Sequence, residues 1–72
     1  MRHSFEMLDV VALTENIPER NLCRGQVGTI VEILEPDVFL VEFSNDEGQA
    51  YAMLSLQMEQ VMALHYQLVK AA

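Results

Sequence analysis

Two glycine-led apolar runs joined by a proline-aspartate corner constrain the fold of this chain more than any other feature. Residues 25–43 read GQVGTIVEILEPDVFLVEF. In the second run Phe39, Val41 and Phe43 fall on one face of an extended strand, and Leu40 falls on the other, because strand side chains alternate. The pattern predicts a twisted antiparallel hairpin whose aromatic face belongs to the core.

Turn-forming residues divide the rest of the chain. We predict structural turns at Gly25, Gly28, Pro36, Asp37 and Gly48. Isolated glycines at a strand start mark a turn, a bulge or a close backbone approach. Proline fixes φ at the corner, and the aspartate side chain accepts hydrogen bonds from the backbone. The segment 44–48, SNDEG, is predicted to form a second turn in which asparagine or glycine adopts a positive φ.

Five strands follow from the apolar runs between these turns. Residues 8–13 fit a first strand, 27–34 a second, 38–43 a third and 49–54 a fourth. The segment 14–24 between the first two contains Pro18, two asparagines and several charges, so it reads as a long loop. We expect Ile17 and Leu22 to hold that loop on the domain.

The last third of the chain fits two periodicities. Between residues 57 and 69, apolar residues recur at helical spacing and also at strand spacing. We favour a turn at 55–57 and a fifth strand at 59–64, because that strand covers the edge left beside the first one. Residues 65–72 form a short tail, for which a helix is an alternative.

The length of 72 residues corresponds to one domain, with a core at about 8–64. A domain of this size buries only roughly 60% of the surface of its unfolded chain. Small domains often depend on disulfides, a metal or oligomerisation, and the single Cys23 excludes an internal disulfide. Because 51% of the residues are hydrophobic, we expect a homo-oligomer, either a dimer or a larger assembly.

The net charge of −7 argues against nucleic acid as a partner, since a negative field repels phosphate. No run approaches the roughly 20 apolar residues that span a bilayer, and no signal sequence is recognisable, so no membrane association is expected. One free cysteine suits a reducing compartment. We therefore expect a cytoplasmic protein.

No residue pattern indicates catalysis, a cofactor or a metal. Cys23 lies just before a turn and could act as a nucleophile, but no motif supplies a base, and a structural thiol is the simpler interpretation. His3 and His65 lack further ligands at metal-binding spacing. The carboxylates around the second turn lack EF-hand spacing, and GQVG lacks the Lys-Ser/Thr pair of a phosphate loop. We expect no enzyme activity of its own.

Apolar residues outside the core face are the candidate partner interface. Leu40 lies opposite the aromatic face, and methionines adapt well to irregular partner surfaces. The predicted interface residues are Leu40, Met53, Met58, Met62, Tyr66 and Leu68.

The order of strand, long loop, strand, hairpin, strand, short turn and strand resembles an SH3-like barrel, and GQVGTIVEI is similar to the glycine-led opening of ribosomal-protein-type SH3 modules. The stretches LDVVALTENIPERNLCRGQVGTIVEIL, VFLVEFSNDEGQAYAMLSL and EQVMAL closely resemble the small bacterial proteins of domain of unknown function 4926. The most recognisable positions are Asp9, Pro18, Gly25, Gly28, Thr29, Val31, Glu32, Val41, Glu42, Phe43 and Leu54. The resemblance implies a mainly β, five-stranded SH3-like barrel and assigns no activity to any residue.

Three functions agree with these features. The first is a non-catalytic protein-interaction module that self-associates and binds a protein partner, with charge setting specificity. The second is an antitoxin-like or immunity-like companion whose acidic surface masks a basic partner. The third is an accessory subunit of an enzyme.

Overall fold

The computed structural model describes residues 5–45, 47 and 49–64, and within them the chain forms one antiparallel sheet. The strands are β1 (Val10–Leu13), β2 (Val27–Glu35), β3 (Val38–Ser44), β4 (Ala50–Gln57) and β5 (Val61–Ala63). Their order in the sheet is β4-β3-β2-β1-β5, and short 3-10 turns occupy Pro18–Arg20 and Met58–Gln60. The mainly β prediction is confirmed; the SH3-like barrel stays a prediction.

The hairpin predicted from residues 25–43 is present as β2 and β3. Ile30 pairs with Val41, and Ile33 pairs with Phe39. The register shifts twice along this ladder, after Ile30 and after Ile33, which marks bulges that increase the local twist of β2. Pro36 and Asp37 form the tight turn between the two strands, as predicted.

The fourth strand is longer than the sequence suggested, so the turn predicted at 55–57 is wrong. β4 continues through Gln57 because Leu56, which is buried, pairs with Phe39 and extends the apolar alternation. The reversal is made instead by the 3-10 turn Met58–Gln60, where the Gln57 N–H donates to Gln60 Oε1 at 2.8 Å.

The fifth strand is confirmed, and its neighbour is the one expected. β5 pairs with β1, with Ala12 opposite Met62 and Leu13 opposite Val61. Over the described residues up to 64 a helical alternative is therefore wrong, and the tail 65–72 lies outside the described residues. No helix among the described residues is long and apolar enough to cross a membrane.

The first strand starts two residues later than predicted. Leu8 has a φ of 73°, and its N–H donates to the Ile30 carbonyl at 2.6 Å. A left-handed residue interrupts extended geometry, so the strand begins at Val10.

The core lies on one face of the sheet. Its members are Val11, Leu13, Ile17, Leu22, Ile30, Phe39, Val41, Phe43, Leu56 and Val61. The aromatic face predicted for β3 is thus confirmed. The loop between β1 and β2 folds over this face as expected: Ile17 and Leu22 form a bridge to each other and both are buried.

The two glycines at the start of β2 have different roles. Gly25, at a φ of 91°, forms a turn that few other residues would adopt readily. Gly28 does not form a turn, because it lies inside β2. A Cβ built there would lie 2.8 Å from Val41 Cγ1 and 2.9 Å from Phe43 Cε2, so this position requires close approach. Gly48 lies outside the described residues.

Candidate interaction surfaces

The face opposite the core, here called the outer face, contains three of the predicted interface residues, of which Leu40 and Met53 are neighbours. Leu40 pairs with Glu32 on β2 and with Ser55 on β4. Along β3, Glu42 pairs with Met53, which places Met53 diagonally next to Leu40. Leu40 is only half-buried and Met53 is 46% exposed, so both side chains remain accessible.

The other predicted interface residues lie apart from this pair. Met62 is on β5, at the opposite end of the strand order from Met53. Met58 begins the 3-10 turn after β4, where its N–H donates to the Asp37 carbonyl at 2.9 Å. Tyr66 and Leu68 lie outside the described residues. The described candidates therefore do not form a single patch.

A row of apolar side chains crosses β5, β1 and β2 on the outer face. Ala12 pairs with Met62 on one side and with Val27 on the other, so the three residues are in register. We call them the apolar row. Ala12 is nearly covered, while Met62 is 52% exposed and Val27 is 48% exposed. The small alanine between two larger side chains leaves a continuous apolar strip without a charge.

A shallow depression of 580 Å³ adjoins the apolar row at Val27 and is lined also by Gln26, Ser44, Asn45 and Tyr51. Tyr51 is the extra residue at the register shift between β3 and β4, and its hydroxyl accepts a hydrogen bond from Gln26 Nε2. The oxygen of the same Gln26 amide, Oε1, accepts a hydrogen bond from the Cys23 N–H at 2.7 Å. The polar floor of the depression is thus held in place.

Sequence reasoning missed Val27 and Tyr51 as surface residues. The signal for Val27 was its neighbour Gly28: a glycine that turns inward for close approach forces the preceding side chain outward by strand alternation. Nothing in the sequence indicated the bulge that displaces Tyr51.

A second, smaller depression of 280 Å³ lies between the loop and β4. It is lined by Ile17, Glu19, Arg20, Leu54, Ser55, Leu56 and Gln60. Arg20 Nη2 reaches across to the Met53 carbonyl at 3.3 Å. The long loop therefore reaches the open edge of β4 through the exposed Arg20 guanidinium.

Charge on the outer face is negative. Glu32 and Glu42 alternate with Leu40 across β2 and β3, and Glu35 pairs with Val38 near the turn. The basic residues of the described ranges are Arg20 and Arg24, both in the loop between β1 and β2. A partner that meets the β2–β3 part of the outer face encounters carboxylates around an apolar centre.

Residues 5–45, 47 and 49–64 contain no cluster of three or more histidine, cysteine or acidic side chains that could hold a metal, and no buried polar or charged side chain. Cys23 is exposed and free. The features that the described residues do offer are surfaces for binding: the apolar row with its depression, and the acidic outer face.

Comparison with family models identifies the family of this chain. The model of the family described as "Domain of unknown function (DUF4926)" matches residues 7–63, so the chain belongs to this family. No curated protein and no solved structure matches the chain. The family resemblance seen in the sequence is therefore confirmed.

Proposed function

We propose that this chain is a non-catalytic protein-interaction module that self-associates and binds a protein partner. The observation that carries the partner-binding part is the apolar row, in which Met62 and Val27 remain about half exposed on either side of Ala12. A strip of this kind on so small a domain is typical of a surface that another chain covers. We place this function in the cytoplasm, where an exposed cysteine such as Cys23 stays reduced.

The energetics favour covering this strip. Fully burying a valine or methionine side chain contributes roughly 1.5–3 kcal/mol, so covering the exposed halves of Val27 and Met62 contributes about 1 kcal/mol each. Tyr51, 48% exposed at the adjoining depression, adds an aromatic side chain with a polar end. Aromatic residues of this type are enriched in binding sites.

A second candidate function is the masking of a basic partner by the acidic outer face. Glu32 and Glu42 flank Leu40 on neighbouring strands, and the two described arginines lie in the loop instead of among them. Carboxylates around an apolar centre suit a partner with lysine or arginine side chains around an apolar contact. Binding of this kind weakens as the salt concentration rises.

Affinity capture with matched variants tests the apolar row. The tagged chain is used to capture proteins from its own cells, and the binding of each purified protein is then measured. Val27→Glu places a charge in the row and should weaken binding at least tenfold. Leu34→Glu is the matched control, because Leu34 is 47% exposed on the same strand but outside the row.

Equal binding by both variants would contradict the role of the row. The basic-partner alternative predicts a different pattern, in which the double variant Glu32→Gln, Glu42→Gln loses binding and Val27→Glu does not. In that case the affinity of the wild-type chain should also fall steeply between low and high salt.

A further inference from the structure

We infer that two copies of this chain join by antiparallel pairing of their β4 strands, edge to edge, so that two five-stranded sheets become one continuous sheet. The inference rests on the self-association in the proposed function and specifies how it occurs. The experiment below distinguishes the β4 pairing from self-association itself, because a chain that assembles through another surface would keep self-association and refute the β4 pairing.

β4 has the properties of an edge strand that pairs with another chain. It lies at one end of the strand order and pairs only with β3 within the described part of the chain. Its sequence, AYAMLSLQ, spans eight residues and contains no charged residue and no proline, although 21% of the whole chain is charged. Edge strands that avoid pairing usually carry charges, proline or a short length.

Two hydrogen bonds define which backbone groups of β4 point to the open side. The Met53 carbonyl accepts from Arg20, and the Gln57 N–H donates to the Gln60 side chain, so both residues direct their polar backbone groups away from β3. In an antiparallel ladder this direction alternates along the strand. Ser55, between them, therefore presents its N–H and C=O to the open side as well.

A second copy fits this edge better than a charged partner does. Two chains of charge −7 repel each other, and they approach most easily along a strip without charge. Pairing Met53 with Met53 of the second copy about a two-fold axis sets Ala52 against Leu54 of that copy. A small residue then faces a large one on both sides of the axis, which suits cross-strand packing.

Arg20 is the group that must move when β4 pairs. Its contact with the Met53 carbonyl is long, at 3.3 Å, and exposed. Because this contact competes with the second copy, Arg20→Ala should leave the assembly as tight as in the wild type or tighter. An arginine that instead stabilised the interface would give weaker assembly.

Sedimentation equilibrium between 5 and 500 µM, on the order of the affinities of small transient interfaces, measures the assembly of the full chain. Ser55→Pro removes an N–H that faces the open edge, and edge strands tolerate proline at such positions. Ser55→Lys adds the charge that edge strands use against pairing. Both should weaken dimerisation at least tenfold. The matched control Leu34→Lys adds the same charge at a 47% exposed position of β2, outside both the β4 edge and the apolar row, and should not weaken dimerisation.

Amide hydrogen exchange provides a readout that needs no variant. The Leu64 N–H donates to the Val10 carbonyl on β1, and the direction of backbone groups alternates along a strand. The Ala63 N–H on β5 therefore faces away from β1 and serves as the control amide. Protection of the Ser55 amide should rise with protein concentration, and that of the Ala63 amide should stay constant.

If the wild-type chain is still a monomer at about 500 µM, both the β4 pairing and the self-association are wrong. Partner binding through the apolar row is tested separately, by the affinity capture described above. A wild-type dimer that keeps its affinity in both Ser55 variants would overturn the inference alone. The same conclusion follows if Ser55 protection does not depend on concentration. Circular dichroism of each variant checks that it folds.

Discussion

Replacing Gly28 by alanine tests the closest approach in the core. A Cβ at this position would lie 2.8 Å from Val41 Cγ1, 2.9 Å from Phe43 Cε2 and 3.0 Å from the Glu42 carbonyl oxygen. Val41 and Phe43 are fully buried, and the third atom belongs to the backbone. None of the three can yield easily, so the added methyl group overpacks the sheet.

The magnitude follows from two opposing terms. Inserting a methyl group into a well-packed core costs about 1–3 kcal/mol. Replacing glycine by alanine also restricts the unfolded chain, which stabilises the fold by about 0.4–1 kcal/mol. We expect a net loss of roughly 1–2 kcal/mol, a large share of the total stability of a domain of this size. Urea denaturation at fixed protein concentration measures this loss.

A second substitution identifies the cause. Val41→Ala removes the γ-carbons nearest to the new Cβ, so in that background Gly28→Ala should cost clearly less than in the wild type. The control is Gly25→Ala, where no atom lies within 4 Å of the new Cβ and the cost arises from the φ of 91°. That cost should be the same with or without Val41→Ala. A neutral Gly28→Ala, or a cost unchanged by Val41→Ala, would refute the argument.

Two further substitutions test how the loop and the last turn are held. Leu22→Ala should destabilise the domain by about 2–4 kcal/mol in urea denaturation, because this side chain is 1% exposed and anchors the loop with Ile17. The control is Pro18→Ala at an exposed position of the same loop. A smaller effect of Leu22→Ala than of Pro18→Ala would contradict the anchoring role. Gln60→Ala should lower the free energy of unfolding by about 1 kcal/mol, since the Gln60 side chain accepts from the Gln57 N–H and donates to the Glu15 carboxylate. Glu59→Ala, one residue earlier, is the control and should leave the free energy of unfolding nearly unchanged.

Strand alternation made much of the sheet predictable. Phe39, Val41 and Phe43 share a face at a period of two. The strand beside β1 was predicted from the need to cover an open edge, because the apolar spacing of the last third fits a helix equally well. The length of β4 was not predictable in this way, because Ser55 and Gln57 resemble turn residues and only the tertiary contact of Leu56 with the core keeps the chain extended. In this segment the local composition favours a turn, whereas the burial of Leu56 favours a strand, and the chain forms the strand.

The candidate surfaces were harder to predict from the sequence than the strands. Exposed methionines could be identified as apolar residues outside the core pattern, but their grouping depends on which strands become neighbours. The apolar row exists because Ala12 lies between β5 and β2, and residues 27 and 62 are far apart in the chain. A single sequence does not contain that pairing.

The bridge between Ile17 and Leu22 has a practical consequence for protein engineering. The residues between these two buried anchors, 18–21, are all exposed, and Asn21 closes the turn with a φ of 58°. Pro18, Glu19 and Arg20 can thus be varied, with Asn21 retained for its left-handed φ, while both attachment points to the core are kept. This makes the loop a natural place to graft a foreign peptide or to build a combinatorial library on an 8.2 kDa scaffold.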